Sequence, residues 1–238
     1  MVEKLSVLKK ITKKKHGPYD KAPLDVLLIY MPIADYFTKL FLHLRFSANF
    51  VTFLMLILSA VAGILFAFPS HKNWILGAIC IQFFFMFDNV DGNIARYRNT
   101  CSKSGHFLDL IHHVTAFPLI FIGLGVGLWV KTGSIFFLYL GFSNSFFFHV
   151  QQGTRAAYKE ILKLDESNCN QLLRTKSKFI RILKHLTFGD YFTVMGGLIL
   201  VGALLNTLSW FHIILGVLLP IRWVISSSIL CNLLKKVN

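Results

Sequence analysis

The stretch from Asp88 to His113 reads DNVDGNIARYRNTCSKSGHFLDLIHH. It holds the only three acids found between Tyr36 and Lys159, namely Asp88, Asp91 and Asp109, and it ends in a pair of adjacent imidazoles. Carboxylates set among apolar runs are costly to dehydrate, and they are kept where they face a polar cavity, a partner or a cation. Three that converge call for a cation. Asp88 and Asp91 stand at i, i+3, and Asp109 and His113 at i, i+4, so each pair shares a helix face. Hard oxygen ligands of this kind suit Mg²⁺ or Mn²⁺. Gly92 lets a ligand approach closely, and Arg96, one turn further on, can hold a phosphate bidentately. Together they read as a site for a metal-bound phosphate. The competing reading, Asp91 or Asp109 paired with Arg96 or Arg98 at a helix end, accounts for one acid but not for three.

These groups need helices at membrane depth to position them. Of the 238 residues, 55% are hydrophobic and 24 are Phe, too apolar a composition for an ordinary soluble domain of this length. A helix needs roughly 20 residues to span about 30 Å of hydrocarbon. Runs suited to that task fall near Phe50 to Phe68, Trp74 to Phe87, Phe107 to Val130, Ser134 to Val150, Tyr191 to Leu208 and Trp210 to Leu234. The second is short as an apolar run and spans only if its helix continues through Asp88 and Asp91 toward Arg96. The segment LDVLLIYMPIADYFTKLFLHLRF mixes apolar residues with Asp35, Lys39, His43 and Arg45, which fits a helix lying in the interface, kinked or started by Pro32. The expected fold is therefore an all-α integral membrane protein. It comprises a basic cytoplasmic tail over 1–23, an interfacial amphipathic helix over 24–46, and six transmembrane helices within 47–238.

The formal net charge of +14 would suggest nucleic acid in a soluble protein. Here Lys and Arg gather in the N-terminal tail, between Arg155 and Lys184, and at Lys235 and Lys236. Those are flanks and loops, so the expected anionic partner is membrane lipid rather than nucleic acid. The bias predicts a multi-pass protein with both termini and the acidic motif on the cytoplasmic side. The polar stretch from Gln151 to Asp190 carries helical patterns at AAYKEILKL and FIRILKHL and reads as cytoplasmic helical extensions. Four scattered cysteines have neither metal-type spacing nor a disulfide framework. The N-terminal tail lacks the apolar core of a signal peptide.

DNVDGNIAR, eight further residues, then GHFLD and LIHH resemble the CDP-alcohol phosphotransferase signature DxxDGxxARx8Gx3Dx3D at every defining position except the last. SANFVT, entering the first span, is similar to the family's PNxxT, with Ala48 in place of the proline. The resemblance implies a metal-dependent transferase that cleaves the pyrophosphate of a CDP-alcohol and passes the phosphoryl-alcohol to a hydroxyl acceptor with release of CMP. It implies that Asp88, Asp91 and Asp109 hold Mg²⁺ or Mn²⁺, and that Thr52, Gly92, Ala95, Arg96, Ser102 and Gly105 line the substrate site. It also implies a homodimer. The alcohol is expected to be lipidic, as CDP-diacylglycerol or a CDP-linked headgroup, in phospholipid synthesis.

The departure is His113, where the family pattern has a fourth Asp assigned as general base and as a ligand of the second metal. An imidazole, with a reference pKa of about 6.5, can take a proton from an attacking hydroxyl, so His113 is the expected base. Leu108, Asp109, His113 and Pro118 fall in an LDxxxHxxxxP pattern similar to that of one branch of the family. The alternative is a non-catalytic descendant that binds a CDP-lipid or a divalent ion. His112 is expected on another helix face, and His43, His149 and His185 as interfacial side chains. The glycines of FIGLGVGLWV and VMGGLILVGAL are expected to allow close helix packing. Arg155, Arg174 and Lys176 are read as lipid contacts or as holders of an anionic acceptor.

Overall fold

A computed structural model describes residues 29–164 and 192–235. Among them the chain is entirely helical, with seven helices: α1 (Met31–His43), α2 (Ala48–Ala67), α3 (His71–Arg98), α4 (Lys103–Thr132), α5 (Ile135–Leu164), α6 (Phe192–Leu204) and α7 (Leu208–Leu234). Four of these, α2, α3, α4 and α7, are long and apolar enough to cross a membrane. The other two expected spans also coincide with helices, but not with spans of that kind. α5 is 30 residues long and carries Asn144, His149 and Gln151 among its apolar residues, and in α6 the apolar helix is short, Met195–Leu204. Of the expected cytoplasmic extensions, AAYKEILKL is the end of α5, whereas FIRILKHL lies outside the described residues.

The second expected span runs on past Phe87, carrying Asp88 and Asp91 to Arg98 in one unbroken 28-residue helix. Its end is set by Asn99, whose left-handed backbone (φ 55°) lets its N–H and that of Thr100 satisfy the last carbonyls. Ser102 then caps α4 by accepting the N–H of Gly105 at 3.0 Å. The two helices are thus joined by a short link that brings Asp88 and Asp109 to one depth, while α2, which packs against both, forms the main backbone contact for each. At the start of α2, Ser47 accepts the N–H of Phe50 at 3.1 Å, which fixes Asn49 and Thr52 on the first turns of that helix.

α2 packs against both α3 and α4, and α1 lies along α3. Pro32 starts α1 rather than kinking it. The helix buries Ala34, Thr38, Phe41 and Leu42 and leaves Ile33, Tyr36 and Leu40 exposed. The α2–α4 seam depends on glycine: a Cβ at Gly123 or Gly127, four residues apart, would collide with the carbonyl oxygens of Gly63 and Phe66. This bears out the packing role expected for that glycine run. The core between the seams is aromatic, with Phe84, Phe117, Phe121 and Trp74 all but inaccessible.

The turns segregate to two ends. At one, His71 Nε2 lies 2.8 Å from Ala203 O, and Lys131 donates to Asn206 Oδ1 at 3.0 Å. At the other, Arg98 donates to Phe46 O at 2.7 Å, tying the end of α3 to the turn between α1 and α2. The acidic motif belongs to this second end.

Candidate active site

A cavity of about 490 Å³ opens at that end, between the first turns of α2, the last three turns of α3 and the first two of α4. Its walls include Asp88, Asp91 and Asp109 and all six expected substrate residues, Thr52, Gly92, Ala95, Arg96, Ser102 and Gly105. Groups up to 57 positions apart in sequence thereby face one space. The cavity also takes in Asn49, Arg98 and Thr100.

The three carboxylates occupy two environments. Asp88 and Asp109 are about one-third exposed. Asp91 is 9% exposed, and its Oδ2 accepts a 2.8 Å hydrogen bond from Thr52 Oγ1. The hydroxyl of Thr52 also lies 3.2 Å from the Ala48 carbonyl, its own helix's preceding turn. Thr52 therefore anchors one carboxylate of α3 to α2.

His113 stands beside the other two. Its Nε2 is 3.3 Å from Asp88 Oδ1 and 3.6 Å from Asp109 Oδ1, while its ring meets Phe84 edge-on. His112 was expected on another face, and the structure corrects this. Its Nδ1 is 3.6 Å from Asp109 Oδ1, its ring centroid is 4.1 Å from that of His113, and only 2% of it is exposed. The reason lies in helix geometry: residues at i+3 and i+4 flank the direction of residue i on opposite sides, so both imidazoles fall near Asp109.

Asp88, Asp109, His112 and His113 each offer one ligand atom, and these atoms lie within 4.8 Å of one another. The carboxylates suit a hard divalent ion, and the imidazoles extend the donor set toward the transition series. The residues present therefore fit a divalent metal. Asp91 is not in this quartet; its Oδ2 accepts from Thr52, and it lines the cavity beside the quartet's Asp88 and Asp109.

Gly92 has a role that its spacing did not reveal. A Cβ there would come within 2.9 to 3.0 Å of the terminal nitrogens of Arg96, so the missing side chain makes room for this chain's own guanidinium. Arg96 donates to Asn93 Oδ1 at 3.0 Å, Asn93 donates to Thr38 Oγ1 at 3.3 Å, and Thr38 donates to Ala34 O at 2.7 Å. This buried relay from α1 aims the guanidinium. Neither Asn93 nor Thr38 stood out in the sequence, since a polar residue on an apolar helix reveals its partner only after folding. Ser102 and Gly105 lie at the α4 cap, and a Cβ on Gly105 would press on Ser102 Oγ and approach Asn49 Oδ1. Arg174 and Lys176 fall outside the described residues.

The family model described as CDP-alcohol phosphatidyltransferase matches residues 45–226. A search of curated proteins returns no match. The matched span begins at the turn before α2 and includes every residue of the cavity wall.

Proposed function

Because the chain belongs to the CDP-alcohol phosphatidyltransferase family, whose members transfer a phosphoalcohol from a CDP-alcohol to an alcohol acceptor with a divalent metal, we propose that the cavity between α2, α3 and α4 is where this chain carries out that transfer. The observation that carries the reading is the convergence of all three Asp residues and all six expected substrate residues on one cavity wall.

Asp88, Asp91 and Asp109 would hold Mg²⁺ or Mn²⁺, which when bound neutralises the pyrophosphate and the charge developing on the departing phosphate. Arg96, held by Asn93, and Arg98 present guanidinium groups to the phosphates. Gly92, Ala95, Ser102 and Gly105 keep the wall low beside them, and Thr52 fixes Asp91. His113 takes the proton of the acceptor hydroxyl. The hydroxyl oxygen then bonds to the phosphorus bearing the alcohol, the bond from that phosphorus to the bridging oxygen breaks, and CMP leaves with the oxygen. His113 does not itself line the cavity; its Nε2 faces Asp88 and Asp109, which do, so the proton is received beside those carboxylates.

The apolar helices and the family point to a membrane protein. In our reading all six expected spans cross, α1 lies in the interface, and the domain limits are 1–23, 24–46 and 47–238. Both termini and the cavity are cytoplasmic, the surroundings are membrane lipid, and two copies associate as a homodimer. The basic flanks and the segregation of the turns to two ends support this topology. The alcohol is lipidic, as CDP-diacylglycerol or as a CDP-linked headgroup joined to diacylglycerol, and the product is a phospholipid. A non-catalytic CDP-lipid or metal binder is the alternative, and retention of three Asp together with Gly92, Arg96 and Gly105 argues against it.

Product analysis with labelled substrates tests the lipid assignment. Purified protein given CDP-diacylglycerol labelled in its acyl chains and a panel of polyols should yield a labelled phospholipid, or it should do so with a labelled CDP-headgroup and diacylglycerol. Label appearing only in a water-soluble product would overturn the phospholipid reading.

A further inference from the structure

The family signature leaves position 112 undefined, yet the structure turns its imidazole toward the acids. We infer that His112 is an additional, nitrogen ligand of the metal site, so that the site discriminates in favour of an imidazole-accepting divalent ion such as Mn²⁺ and against Mg²⁺. The inference rests on the metal-dependent reading above and adds to it a ligand that the motif does not contain.

Three observations carry it. His112 is 2% exposed, and neither ring nitrogen makes a well-formed hydrogen bond, its nearest backbone acceptors being the carbonyls of Leu108 and Asp109 on its own helix. Buried ring nitrogens in that condition are rare and costly, because a buried polar atom ordinarily finds a partner. Second, the ring aims into the acidic cluster: Nδ1 lies 3.6 Å from Asp109 Oδ1, and a donor atom of His112 is within 4.8 Å of those of Asp88, Asp109 and His113. Neighbouring ligands on one ion with bonds near 2.1 Å sit about 3 to 3.6 Å apart. Third, the ring is fixed in that direction by packing, between Phe84 at 5.4 Å and His113 at 4.1 Å, centroid to centroid.

A neutral imidazole is a poor ligand for Mg²⁺, which prefers oxygen donors and retains its waters, and a good one for later divalent ions. Placing a nitrogen among carboxylates therefore changes selectivity more than it changes charge. His113, whose Nε2 also stands in the quartet, keeps the role of base assigned to it above. The two neighbouring imidazoles divide the work, one on the metal and one on the proton.

Pulsed electron paramagnetic resonance of Mn²⁺ bound to the full chain, purified in detergent without a polyhistidine tag, reads the ligand directly. The wild type should show ¹⁴N modulation on the bound ion, replaced by a ¹⁵N pattern when the chain carries ¹⁵N-histidine. That comparison needs no mutation. His112→Phe should remove the nitrogen signal and weaken Mn²⁺ by at least the order of tenfold while leaving Mg²⁺ binding nearly unchanged; His113→Asp should keep the signal. The inference is overturned if Mn²⁺ does not bind, if bound Mn²⁺ shows no nitrogen coupling, if the coupling survives in His112→Phe, or if that variant weakens both ions alike. CMP release without nitrogen coupling overturns this inference alone, and nitrogen coupling without CMP release overturns only the transferase reading.

Discussion

Thr52 on α2 and Asp91 on α3, 39 positions apart in sequence, are joined by a 2.8 Å hydrogen bond in which the hydroxyl donates to the carboxylate. The bond joins two lining residues of the cavity and holds the least exposed of its three acids. Thr52→Val keeps the shape and removes the donor. A hydrogen bond to a charged group contributes about 1.5–3 kcal/mol, so kcat/KM should fall on the order of 10- to 100-fold, with Thr52→Ser close to wild type. Equal rates for the Val and Ser variants would mean that the bond does not orient Asp91.

Asp88 and Asp109 face the cavity from different helices and stand in the same quartet of possible ligands. Asp88→Asn or Asp109→Asn should abolish turnover together with the rise in thermal stability produced by Mn²⁺ or Mg²⁺. Chelation of the wild type should give the same loss, restored by adding metal back. A variant whose melting temperature still responds to metal as the wild type does would remove that residue from the site.

His113 makes its contacts through Nε2, to Asp88 and Asp109. As the base, it should lose about 10²- to 10⁴-fold in kcat on conversion to Ala, with nucleotide binding retained. His113→Asp restores the last position of the family motif and should turn over measurably. Wild-type kcat in His113→Ala would leave the imidazole with a packing role against Phe84.

The two ends of the bundle make a topological prediction. Accessibility tags at the N-terminus, near Lys103, near Asn168 and at the C-terminus should all report the cytoplasm, because the basic residues flank those points. An exterior report from Lys103 would put the α3–α4 turn, and the cavity beside it, on the opposite face.

The acidic motif was legible because its chemistry is local. Spacings of i, i+3 and i, i+4 give helix faces, and the short link between Arg98 and Lys103 brings the two acidic faces to the same end of the bundle, although the helices pack mainly on α2 rather than on each other. The continuation of α3 through Asp88 followed from length alone, since Trp74 to Phe87 is too short to span. What the sequence hid was direction and partnership. His112 and His113 both turn toward Asp109, and Phe84 from α3 packs against both rings, a contact that the spacing within α4 could not announce. Gly92 reads as space for a ligand, and besides lining the cavity it gives room to the Arg96 guanidinium, which its spacing did not announce. The relay Thr38–Asn93–Arg96 joins two helices, so no periodicity within either could announce it. α5 read as a span from its apolar run, and what that run hid is the partnership of Asn144, which is buried and donates to the His212 carbonyl at 3.2 Å on α7.

The central claim is that this cavity breaks the pyrophosphate of a CDP-alcohol, and CMP release measures that bond directly. Purified wild-type protein with Mn²⁺ or Mg²⁺, a CDP-alcohol and a hydroxyl acceptor should release CMP in equal amount to the phosphoryl-alcohol transferred, and Asp88→Asn should release none. No CMP from the wild type across CDP-diacylglycerol and CDP-linked headgroups, in protein that still binds metal, would contradict the account and leave a binding protein in its place.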